Sequence, residues 1–167
     1  MRNKKTLKTT VLFVVFVASA FITRAQTYIS DPIKYNDFIV EQQMKISEEL
    51  KIFSNVLSDI TKSKDDATEQ LDILRNAAVK AIENVNSLDK MSPDFDLKDN
   101  AVSLFKFYKS VIDNAYLELV NEYFSEYPSE EKVKEIFKKI SEEEVAYDQA
   151  FLTSQEEFAE HYNFTLE

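Results

Sequence analysis

Apolar residues recur along this chain at the three- and four-residue spacing of helix faces, in four long runs parted by short polar breaks. The last run is the longest. Pro128 and Ser129 open it as a stop and an N-cap, and Val133, Phe137, Ile140, Tyr147, Phe151, Phe158 and Tyr162 then share one face, which predicts a helix over 129–162. Ser141 with Glu144 also fits a capping box, but the apolar face keeps its direction across that point and favours one continuous helix. Glu144 falls in the middle of the face, about 20° from the direction of Phe151, where an apolar residue is expected.

The earlier runs follow the same logic. Asp31 and Pro32 announce the first helix as N-cap and first helical residue, with Tyr35, Ile39, Ile46, Leu50, Phe53, Leu57 and Ile60 facing inward and an end near Thr61 or Lys62. Gln43 shares that face, and Met44 points away from it. Ser63 with Asp66 marks the start of the second helix, whose stripe Ala67, Leu71, Leu74, Ala78, Ala81, Val85 and Leu88 alternates spacings of four and three. Ala77, Ala78 and Ala81 let a neighbour approach closely or leave room for a larger side chain. After Met91 to Asp96, which contains Pro93, Asp96 is the expected cap of a third helix ending at Tyr127 and Pro128. Its main face is Leu97, Ala101, Leu104, Phe105, Tyr108, Ile112, Ala115, Leu119 and Tyr123. Leu117 and Phe124 are left on the far side, one heptad apart, as a stripe for a protein partner or weak self-association. The pattern predicts an all-α fold: an antiparallel up-down-up-down four-helix bundle with long helices, in one domain over 26–167.

Composition narrows the picture. Glycine is absent, which excludes phosphate-cradling loops, dinucleotide fingerprints, nucleophile elbows and EF-hand loops, all of which need it. It also obliges the helices to end without glycine caps. Arg2, Lys4, Lys5 and Lys8 precede the apolar run Val11 to Ala18, continued by Phe21 and Ile22, so residues 1–25 read as a secretory signal cleaved after Ala25 or after Ala20. Arg24 closes that run before it reaches spanning length, so no membrane insertion is expected once it is removed. The segment holds five basic and no acidic residues, so its loss takes the net charge from −10 to −15. Such a surface repels nucleic acid and anionic lipid. With no cysteine, neither disulfides nor lipid attachment through cysteine are open to the chain.

The strings YNDFIVEQQMKI (Tyr35 to Ile46), LFKFYK (Leu104 to Lys109) and EEFAEHYNFTL (Glu156 to Leu166) together resemble a family of uncharacterised exported bacterial surface proteins found in Bacteroidota and leptospires. The resemblance spans nearly all of the chain beyond the signal. It implies a helical bundle outside the cytoplasm, secreted, periplasmic or cell-surface associated, and it carries no catalytic residues. Some relatives bear a lipid-anchor cysteine that this chain lacks.

Bundle chemistry finds little footing. His161 is the one histidine, so a di-iron centre built on two Glu-x-x-His units fails. A Met44–His161 haem fails because the two positions lie about 15 Å apart in an antiparallel pairing and Met44 points outward. A hydrolytic triad has no glycine-built oxyanion loop. No catalytic, metal or cofactor-binding residue is expected. The polar core candidates are Gln43, Arg75, Tyr108 and Glu144, with Glu144 and Arg75 expected to pair and set register, and Asp113 and Glu118 as competing partners of Arg75. The leading function is an exported non-enzymatic protein acting in binding or protein interaction. The alternative is a small-ligand or cofactor carrier with a core cavity near Gln43, Tyr108, Glu144 and Ser154.

Overall fold

Asp31 sits in extended conformation and its Oδ1 accepts from the amides of Ile33 (3.0 Å) and Lys34 (3.2 Å), satisfying two orphan donors of the first helix, α1 (Pro32–Ser58). The computed structural model describes residues 27–92 and 94–166. The proposed signal, its cleavage positions and Pro93 lie outside the described residues. The elements that follow are α2 (Lys64–Asn86), α3 (Leu97–Val111), a π-helical turn (Ile112–Tyr116), α4 (Leu117–Tyr123) and α5 (Glu130–Tyr162). Among the described residues there is no strand; one isolated bridge ties Thr27 to Leu88.

Local signals hold where they act over three or four residues. Ser63 and Asp66 form the full reciprocal capping box at the start of α2. All seven residues of the α2 stripe are buried. Ser129 caps α5 by accepting from the Lys132 amide, and α5 runs through Ser141 without a break. Without glycine, α5 ends on Asn163 in the left-handed conformation (φ 55°), the amide of Phe164 reaching back to the Ala159 carbonyl at 3.1 Å.

Several expectations are corrected. α1 stops at Ser58 because the Asp59 carboxylate accepts from the Thr61 amide (2.9 Å) and hydroxyl (2.7 Å) in a local turn, which leaves Ile60 fully exposed. Asp96 precedes α3 but makes no side-chain cap bond. On α5, Phe137 and Tyr147 are exposed and Ile136 is buried instead. The third rod ends at Tyr123, and the π turn inserts one residue into its repeat, so the inward direction shifts. Beyond the turn Val120 is buried and Phe124 packs against the core, while Tyr123 is exposed.

α1 packs on α2, α2 on α3 and α3 on α5, around one core to which every helix contributes. α1 touches α5 more sparingly, through the Tyr35–Phe158 rings (5.7 Å) and a buried Gln155–Asn36 hydrogen bond (2.9 Å). Farther along, the gap between α1 and α5 is where the candidate site lies.

Candidate functional site

The π turn and the first turn before it supply Val111, Ile112 and Tyr116 to a half-open cavity of about 110 Å3. α3 adds Phe107 and Tyr108, α1 adds Ile46, Ser47 and Leu50, α2 adds Leu74, and α5 adds Ile140 and Glu144. Leu74 and Ile112, both fully buried, form the floor. Ser47 is exposed and Glu144 half-buried, so the mouth opens between α1 and α5. A change from i→i+4 to i→i+5 bonding widens the helix and turns side chains that a regular helix would aim elsewhere. Asn114 Nδ2 donates to the Ser110 carbonyl (2.8 Å) where the ladder changes register.

Glu144 is the one charged residue lining the cavity. Among the described residues it has no hydrogen bond or ion pair, and burial, reinforced by Asp148 one turn along α5, pushes its carboxyl above the usual carboxylate value. Tyr108 donates its hydroxyl to Asp148 Oδ1 (3.2 Å). Burial raises the Tyr108 phenol first, Asp148 and Glu144 raise it further, and a hydrogen bond with Gln43 opposes them. Tyr116 is pushed up to about 12, by burial and then by Glu144. Both phenols therefore stay protonated at neutral pH.

Three of the four expected polar residues, Gln43, Tyr108 and Glu144, meet at one place. Arg75 does not join them: its Nε donates to Asp113 Oδ1 (2.6 Å) and its Nη1 binds Asp72. Asp113 on the π turn also takes Lys109 Nζ (2.5 Å), so it holds both cations. The expected Arg75–Glu144 pair is thus overturned by a partner on a nearer element. Glu118, the other competitor, faces Lys132 instead (3.6 Å). Ser154 is buried with its hydroxyl on the Phe151 carbonyl (2.8 Å), ten residues and about 15 Å along α5 from Glu144. It does not line the cavity.

Leu117 is exposed in an open surface groove shared with Ile136, Lys139 and Glu143, whereas Phe124 leans on the core. The two do not form one outward stripe, because α4 ends at Tyr123 and Phe124 leaves the helix as its C-cap. The residues that sequence reasoning missed are Gln42, whose Oε1 accepts from Asn84 Nδ2 (2.8 Å), the Asn36–Gln155 pair, and Tyr116 and Asp148 beside Glu144. Gln42 and Gln43 flank the α1 stripe on opposite sides, so spacing alone does not rank them. Asp148 stands four residues after Glu144, a spacing that was there to be read.

Comparison with family models, with curated proteins and with solved structures returns no match. The site stands on its own geometry.

Proposed function

We propose that this is an exported, non-enzymatic binding protein of the cell envelope that carries a small ligand in the cavity between α1, the π turn and α5. The observation that carries the reading is the cavity itself, apolar on its floor with one uncompensated carboxylate at its mouth. An apolar protein cavity of roughly 150 Å3 is enough to take up benzene, so about 110 Å3 with an open side suits a ligand of similar bulk. Opposing chain directions in the contacts 42–84 and 49–70, and again in 100–150 and 122–132, support the antiparallel up-down-up-down order. In that order the cavity lies at mid-bundle, where four-helix proteins commonly hold ligands. Glu144 has tyrosines and another carboxylate for neighbours, and His161 lies about 25 Å farther along α5. This favours binding over catalysis.

A protein partner on the outer face of α5 is the second reading, favoured by exposed Phe137, Val145 and Leu152. Native mass spectrometry of protein purified from its own host separates the two. A monomer carrying a small adduct that is lost when Ile140→Trp fills the cavity supports the carrier. A ligand-free complex with another chain favours the surface reading and defeats the carrier.

A further inference from the structure

We propose that the ligand class of this cavity is a small primary ammonium, its alkyl or aryl body on the Leu74–Ile112 floor and its charged head at the mouth against Glu144, Tyr108 and Tyr116. The inference rests on the carrier reading above and adds the chemistry of the ligand. Glu144 is half-buried without a hydrogen bond or a cation among the described residues, an arrangement that costs free energy until a positive charge arrives. The titratable groups facing it are Asp148 on its own helix, Tyr108 from α3 and Tyr116 from the π turn. None is positive.

The alternatives fit less well. An anion would meet two carboxylates, while Arg75 and Lys109 are already bound to Asp113. A neutral body would fill the floor and leave the Glu144 charge uncompensated. A bare metal ion lacks donors, since no group of three or more ligating side chains exists among the described residues. A primary ammonium has three donors for the carboxylate and the phenol oxygens, and the rings of Tyr108 and Tyr116 add faces that favour a cation. Volume limits the body to roughly four to six non-hydrogen atoms.

Calorimetric titration of the mature protein at neutral pH with n-butylammonium, n-butanol and n-butyrate tests this. The expected order is butylammonium tighter than butanol by about tenfold or more, with butyrate not binding. Glu144→Gln should remove that preference, so that butylammonium binds no tighter than butanol. Circular dichroism of the variant checks that its helices persist. Equal affinities for the ammonium and the alcohol, or an ammonium affinity unmoved by Glu144→Gln, overturn the ammonium assignment and leave the carrier standing. If none of the three binds and the wild-type protein is folded, both readings fall.

Discussion

At the scale of the residue, Glu144 and Asp113 show how one kind of side chain takes opposite roles within one fold. Asp113 sits between Lys109 and Arg75, which hold its carboxyl below the ordinary range. Its contribution to stability is present above that range and is lost as pH falls through its folded value. Glu144 is displaced the other way, above its usual 4.5, by burial and then by Asp148. The folded state therefore binds its proton more readily than the unfolded chain does. Stability from this group is full below about 4.5 and is lost as pH rises through the folded value. Glu144→Gln should accordingly unfold at higher urea than wild type at pH 7, with the gain vanishing toward pH 4. Because the carboxylate reaches the open mouth, solvent screening holds that gain under about 1 kcal/mol. A gain confined to acid pH would contradict the assignment.

At the scale of the element, the π turn Ile112–Tyr116 is the feature that organises the site. It carries Asp113, which ties α2 to the third rod through Arg75, and it places Tyr116 against the Phe53 ring (5.5 Å) and beside Glu144. Downstream of it Val120 is buried beside Leu119 and Tyr123 is exposed. Deleting the exposed Asn114 should restore an unbroken α register, return Tyr123 to the inner side and withdraw Tyr116 from the cavity. The displaced core side chains should cost roughly 2–5 kcal/mol in urea unfolding, and binding of small apolar ligands should fall with them. Unchanged stability and unchanged binding would mean that the π turn is incidental.

For the whole molecule, the dominant long-range term is charge. The chain carries a net −10, or −15 without its first 25 residues, and several ion pairs among the described residues are exposed i, i+4 pairs such as Lys45–Glu41 and Lys138–Glu142. Such pairs contribute little and are screened by salt, whereas self-repulsion among excess carboxylates opposes compaction. Raising sodium chloride from about 20 to about 300 mM, which shortens the screening length to well under 10 Å, should therefore raise the thermal midpoint. A midpoint that falls with salt would mean that the ion pairs outweigh the repulsion.

What the sequence determined by itself is what local chemistry specifies. Asp31–Pro32 and the Ser63–Asp66 box act within one helical turn, and the α2 stripe from Ala67 to Leu88 keeps a regular spacing and is buried at every position. With no glycine and few prolines, the all-helical content was legible throughout, and so was Glu144 as a carboxylate on an apolar face. Tertiary structure decided the rest. A helical wheel assumes a constant advance per residue, which the π turn breaks and the end of α4 cuts short, so Tyr123 and Phe124 were misjudged, while Ala115, Leu117 and Leu119 kept the faces expected of them. The partner of a long side chain such as Arg75 depends on which neighbouring element stands nearest, and Asp113 on the π turn stood nearer than Glu144. The cavity is likewise no property of any one helix. It exists because Glu144, Tyr108, Tyr116 and Leu74 come from four separate elements whose spacing only their mutual packing sets.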